Sequence, residues 1–202
     1  MKEEVVKVKC EYCEKEFEQV GNYQEKLCPV CKYLVRLPKY FRSNDFYDSE
    51  CLKPYVEKGI FLCGYSGSGK TVFLIEVLKE TMKQGKGGTY VNIPELLSET
   101  KYNDDKYKLI NDYKRVKGMV FFDEIMGVGN PTAYVLDCIY QILDYRHINE
   151  LPTCLASNLT LEDIERIDAR IATRISRLCG DNIFKLDTLP KLKHCFKLKD
   201  KK

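Results

Sequence analysis

The sequence predicts an α/β protein: a parallel sheet sandwiched between helices (an αβα sandwich), with a phosphate-binding loop at one strand end and a small zinc ribbon in front. Three observations carry this expectation. Short apolar runs alternate with stretches of helical spacing, the pattern of a parallel sheet with crossover helices. One of these runs, Gly59-Ile60-Phe61-Leu62-Cys63, leads directly into Gly64-Tyr65-Ser66-Gly67-Ser68-Gly69-Lys70-Thr71. The first 31 residues also hold two C-x₂-C pairs, Cys10 with Cys13 and Cys28 with Cys31, separated by fourteen residues. The expected division is a ribbon over 1–36, a linker over 37–58 and a nucleotide domain over 59–202.

The paired cysteines have the spacing of two knuckles that offer four thiolates to one tetrahedral zinc ion. The segment between them is polar and too short to bury a core, so metal binding supplies its folding energy. The other six cysteines, Cys51, Cys63, Cys138, Cys154, Cys179 and Cys195, are scattered singly and read as small core residues. In the linker, Leu37-Pro38-Lys39-Tyr40-Phe41-Arg42-Ser43-Asn44-Asp45-Phe46 is irregular yet carries three aromatics. These either pack on an adenine ring or pin the linker to the core.

The loop from Gly64 to Thr71 has the spacing of a phosphate cradle. Its glycines allow a sharp turn, its N–H groups converge on an anion, and the helix that follows starts with its positive end at the same point. Lys70 then reaches the β- and γ-phosphates of a nucleotide, and the Thr71 hydroxyl is a magnesium ligand. A second strand is expected at Thr89-Tyr90-Val91-Asn92-Ile93, with Pro94 in the first turn of the next helix. Lysines and Tyr102, Tyr107 and Tyr113 interleave from 101 to 117. They fit an exposed amphipathic helix with its tyrosines on the core, or a track for single-stranded DNA.

A third strand, Gly118-Met119-Val120-Phe121-Phe122, ends in Asp123-Glu124, which places two carboxylates at the ligand-binding edge of a parallel sheet. Asp123 would hold magnesium and Glu124 would polarise the attacking water, so hydrolysis is favoured over transfer to a second substrate. A helix from Pro131-Thr132-Ala133 to about residue 149 carries Tyr134, Cys138, Ile142 and Tyr145 as a core stripe. The fourth strand, Pro152-Thr153-Cys154-Leu155-Ala156, ends in Ser157-Asn158, and Asn158 is the candidate to orient the hydrolytic water. Thr160-Leu161-Glu162-Asp163 is a looser capping box, with aspartate in place of glutamate. In the last helix Arg170 and Arg174 share a face, with Arg177 three residues on. They form a solvated face or present a guanidinium to the γ-phosphate of a neighbouring subunit, in which case the protein is a homo-oligomer with nucleotide at its interfaces. A strand at Asn182-Ile183-Phe184-Lys185-Leu186 and a lysine-rich tail follow.

Composition sets the outer limits. A chain of 202 residues, 44% hydrophobic and 31% charged, is long enough for one α/β domain and a small appendage. A formal charge of +3 neither demands nor excludes nucleic acid. No apolar stretch has the length of a membrane span and the first residues lack a signal-peptide core, so a cytoplasmic protein without a membrane partner is expected.

The combined motifs resemble a known family. Gly64 to Thr71, Phe121-Phe122-Asp123-Glu124, Leu151-Pro152-Thr153 with Ser157-Asn158, and Ala169-Arg170-Ile171-Ala172-Thr173-Arg174-Ile175 are similar to the DnaC/DnaI helicase-loader branch of the AAA+ ATPases, to which the IstB transposition ATPases are close. The cysteine-rich N-terminus resembles that of the DnaI type. The resemblance implies a slow ATPase that loads a replicative helicase onto single-stranded DNA, with a phage or mobile-element origin. It implies that Lys70 and Thr71 bind ATP and magnesium, that Asp123 and Glu124 are the acidic pair, that Asn158 is the polar sensor, and that Arg174, with Arg170 nearby, is the finger. Only 28 residues follow Arg174, so the C-terminal helical lid of standard AAA+ proteins is not expected. Two other readings are an IstB-type ATPase on duplex DNA and a non-catalytic zinc adaptor.

Overall fold

The computed structural model describes residues 5–11, 16–20, 26–27, 37, 41, 47, 49–56, 58–102, 106–126 and 131–186. Near the N-terminus, β1 (Val5–Lys9) and β2 (Glu16–Val20) form an antiparallel hairpin in the register Val5↔Val20 to Lys9↔Glu16. Alternation is confined to Val6-Lys7-Val8-Lys9 in β1 and is weak in β2, so the polar composition of this region hid the hairpin in the sequence reading. Buried Cys10 follows β1 directly. The Glu11 N–H donates to Lys26 O at 2.9 Å, which brings the chain just ahead of Cys28 against the end of the hairpin. Cys13, Cys28 and Cys31 lie outside the described residues, as do Tyr40, Phe46, Cys195 and the lysine-rich tail. Among the described residues no group of three or more His, Cys, Asp or Glu side chains is placed to hold a metal ion.

The second sheet has five parallel strands, β3 (Ile60–Cys63), β4 (Gly88–Asn92), β5 (Met119–Asp123), β6 (Thr153–Ser157) and β7 (Ile183–Lys185), in the order β4-β5-β6-β3-β7. Every residue of β3, β5 and β6 is buried, as strands covered on both faces must be. Each begins and ends within about a residue of its expected position. Such all-apolar runs bounded by glycine, proline or acidic residues leave little freedom in register.

Alternate side chains of these strands feed two cores. One face, with Leu62, Phe121, Cys154 and Ala156, packs on α2 (Lys70–Lys83) through Phe73, Leu74, Val77 and Leu78. Ahead of β3, α1 (Ser49–Leu52) and a 3-10 turn (Lys53–Tyr55) close over α2. Tyr47 and Tyr55 set their rings edge-on to Phe73 at 5.1 and 5.5 Å, and Phe41 packs against the same core. The described linker aromatics therefore pin it to the core.

The other face, with Val91, Val120, Phe122 and Leu155, packs on α3 (Ile93–Tyr102), α4 (Lys106–Arg115), α5 (Ala133–Ile148), α6 (Leu161–Ile167) and α7 (Ala169–Cys179). In α4, Tyr113 packs against this core, which agrees with the amphipathic-helix reading; the side chains of Tyr102 and Tyr107 lie outside those described. In α5 the expected stripe is core only in its middle: Tyr145 is half-buried beneath Lys114, whose Nζ lies 5.4 Å from its ring centre, and is not part of the core. Cys138 and Ile142 are buried, but Tyr134 is 40% exposed, because burial along α5 begins a turn later at Cys138. Of the single cysteines, Cys63, Cys138, Cys154 and Cys179 are core residues, whereas Cys51 is only half-buried. Among the described residues no helix is long and apolar enough to cross a membrane.

Candidate nucleotide site

The strand order decides what meets what at the carboxyl edge of the sheet. Strand β6 lies between β3 and β5, so its tip stands between the glycine-rich loop that follows β3 and the acidic pair that ends β5. A cleft of about 210 Å³ opens there, lined by Ser66, Gly67, Gly69, Lys70, Thr71, Asp123, Glu124 and Asn158. These eight expected residues thus converge from three separate stretches of sequence. A larger hollow of about 770 Å³ lies at the opposite, amino edge, around Gly59, Pro152 and Asn182. Size does not select the site, because parallel sheets bind ligands where strand ends meet helix N-termini.

Within the loop, Gly67 and Gly69 take φ of +85° and +94°, a region that other residues enter only under strain. Gly69 is also the N-cap of α2, so the helix starts with bare backbone N–H groups facing the cleft. Lys70 is buried and turns back over the loop, where its Nζ donates to Gly64 O at 2.8 Å and Tyr65 O at 2.9 Å. The Tyr65 ring points outward and is 62% exposed.

Asp123 is 2% exposed, and a carboxylate so buried needs donors. It has three. The Glu124 N–H donates to Oδ1 at 2.9 Å, while the Thr71 hydroxyl at 2.6 Å and the Tyr90 hydroxyl at 2.8 Å both donate to Oδ2. Burial first, and Asp123 second, push the Tyr90 phenol well above the usual tyrosine range, so Tyr90 stays a donor. The hydroxyl of Thr71 and the carboxylate of Asp123 form the all-oxygen donor set that suits a hard cation such as magnesium.

Glu124 is exposed and holds φ of +56°, a left-handed conformation uncommon outside glycine. The turn after it is tied to β6: the Ile125 N–H donates to Ala156 O at 2.8 Å, and Ser157 Oγ donates to Ile125 O at 2.7 Å. These bonds place Asn158 across the cleft from Glu124. From the tip of β4, Asn92 Nδ2 approaches Glu124 Oε2 at 3.5 Å while its Oδ1 accepts the Glu95 N–H at the start of α3. Sequence reading took Tyr90 and Asn92 only as strand residues. The register Asn92↔Asp123, which sets β4 beside β5, is what brings them to the site.

Arg170 and Arg174 do not line the cleft. Both face α5, where their guanidinium carbons lie 4.7 and 5.8 Å from the Tyr140 ring centre. Arg174 Nε donates to Asp144 Oδ1 at 2.6 Å, and Arg170 makes a two-pronged pair with Asp168.

Among solved structures, a protein from Streptococcus pyogenes serotype M3 solved as a candidate primosome component matches 74% of this chain and 88% of its own at TM-score 0.59 and 26% identity. DnaI matches 77% of this chain and 90% of its own at TM-score 0.59 and 23% identity. The DnaC helicase loader matches 81% and 93% at TM-score 0.52 and 16% identity. The fold is that of the DnaI and DnaC helicase loaders. In sequence, the phage-like element PBSX protein XkdC of Bacillus subtilis (strain 168) is 31% identical over 151 residues, which is 65% of this chain and 55% of XkdC. The replicative helicase loader DnaI of the same organism is 29% identical over 137 residues, 64% of this chain and 42% of DnaI. The chain spans about half the length of the curated relatives it matches. No family model matches it.

Proposed function

We propose that this chain is a phage-type helicase loader, an AAA+ ATPase that delivers a replicative helicase to single-stranded DNA and turns ATP over slowly. The observation that carries the reading is the convergence of Lys70, Thr71, Asp123, Glu124 and Asn158 on one cleft at the carboxyl edge of the sheet. Its likeness in fold to DnaI and DnaC and its sequence relationship to DnaI support the loader role over other uses of the same core.

In this reading the loop from Gly64 to Thr71 cradles the phosphates. Lys70 would reach the β- and γ-phosphate oxygens, and Thr71 and Asp123 would hold magnesium, which would supply positive charge against the phosphates. Glu124 polarises the attacking water and Asn158 orients it. Arg174, with Arg170 beside it, serves a neighbouring subunit in trans, so ATP sits at the interfaces of a homo-oligomer. Residues 1–36 form a zinc ribbon on Cys10, Cys13, Cys28 and Cys31. The hydrogen bond from Glu11 to Lys26 supports this, since it sets the approach to the second pair beside the first. Residues 37–58 are the linker and 59–202 the ATPase domain.

The test is co-migration with the host's replicative helicase on a sizing column, with and without ATP and magnesium. The native protein is expected to migrate with the helicase, and Lys70→Ala is expected to lose nucleotide-dependent assembly. The Cys10→Ser/Cys13→Ser variant is expected to lose the helicase while retaining nucleotide binding. Native protein that ignores the helicase but shifts on duplex DNA with ATP overturns the loader reading.

A further inference from the structure

We infer that Tyr90 is a positioning residue for the magnesium-binding carboxylate: its hydroxyl holds Asp123 in the orientation that nucleotide-bound magnesium requires. The inference rests on the nucleotide-site reading above. Tyr90 does not line the cleft, so its effect passes through Asp123. Parallel pairing sets Tyr90 opposite Phe121, two residues before Asp123, and both aromatic rings belong to the α2 face of the sheet. A tyrosine at this register reaches the end of the neighbouring strand with its hydroxyl while its ring stays among apolar neighbours.

The geometry around Asp123 gives that hydroxyl a specific task. Oδ1 has one donor, the Glu124 N–H, fixed by the backbone. Oδ2 has two, Thr71 and Tyr90. Thr71 is itself the other proposed magnesium ligand, so its hydroxyl must satisfy the cation as well as the carboxylate. Tyr90 is the donor to Oδ2 with no second duty at the metal. It keeps the carboxylate plane set while Thr71 is shared. Partners of this kind, one bond removed from a metal, typically change metal affinity by about 10- to 100-fold when they are lost.

The experiment uses the full chain with a fluorescent, non-hydrolysable ATP analogue, titrated with magnesium and, separately, in a metal-free buffer with chelator. Tyr90→Phe keeps the ring and removes only the hydroxyl. The expected result is a magnesium concentration for half-maximal analogue binding raised about tenfold, with metal-free binding within twofold of the native protein. Cooperative thermal unfolding of the variant verifies that it is folded, and Tyr90→Leu, which keeps apolar bulk without the donor, is expected to show the same shift. An unchanged magnesium requirement in Tyr90→Phe overturns the inference and makes Tyr90 a core ring only. If metal-free and magnesium-dependent binding fall together, the hydroxyl supports the loop rather than the carboxylate, and the inference also falls. Native protein that binds no analogue under any condition removes the nucleotide-site reading itself, and this inference with it.

Discussion

The guanidinium of Arg146 is fully buried in the last turn of α5 with no carboxylate among its hydrogen-bond partners. Its Nε donates to Thr153 Oγ1, its Nη1 to the carbonyls of Tyr113 and Val116, and its Nη2 to those of Gly118 and Pro152, at 2.8 to 3.2 Å. All five donors are used, four of them on carbonyls at the end of α4, in the connection to β5 and just before β6. Arg146→Met should fill the space yet strand several buried acceptors, at a cost of about 3–5 kcal/mol, measured by urea unfolding at neutral pH. A change below about 1 kcal/mol would mean that water replaces the guanidinium. Nothing in the sequence marked this residue, because a basic side chain in a last helical turn ordinarily faces solvent and the helix dipole. Lys70, Thr71 and Asp123 were legible because their chemistry is tied to a local pattern of glycines and acids. Tyr90 and Asn92 were not, because their role depends on which strand lies beside β5.

Helix ends were the most legible feature at the scale of elements. Thr160 and Asp163 form the capping box read from their spacing: Asp163 N–H donates to Thr160 Oγ1, and Thr160 N–H donates back to Asp163 Oδ2. One residue after α6 ends, Asp168 caps α7 by accepting the Arg170 N–H at 2.9 Å while it also binds the Arg170 guanidinium. Asp168→Ala should therefore destabilise the domain by about 1 kcal/mol and free Arg170 to move. Both carboxyls are held below the ordinary aspartate range, Asp163 by its bonds with Thr160 and Asp168 chiefly by Arg170. Since the folded values are depressed, these caps contribute fully above about pH 4 and weaken as pH falls through the folded values. Thermal unfolding followed from pH 6 to pH 3 should show the native protein losing its advantage over Asp168→Ala only at the acid end. The hairpin β1–β2 was missed for a matching reason: strands five residues long with two exposed valines give a weak alternation.

For the whole molecule, the decisive fact is that strand order assembles the cleft while α5 and α7 carry the paired arginines away from it. Arg174→Ala should leave binding of ATP to an isolated subunit within about twofold, yet lower turnover in the assembled protein by a factor on the order of 10³, read as phosphate release at concentrations above and below assembly. Equal loss at all concentrations would place Arg174 in its own subunit's chemistry. Domain class and site were legible because a buried parallel sheet admits few topologies; the direction in which the arginines point was not, because it is fixed by Tyr140 and Asp144 on a different helix. The grip of Arg146 has a mechanical meaning at this scale. By holding Gly118 and Pro152 it locks the beginnings of β5 and β6 together, whereas the other end of β5 runs into a turn with left-handed backbone at Glu124 and Met126. The amino edge is then a fulcrum. If the cleft holds nucleotide as proposed, its exchange would move the opposite rim, where α5 begins, more than this clamped edge.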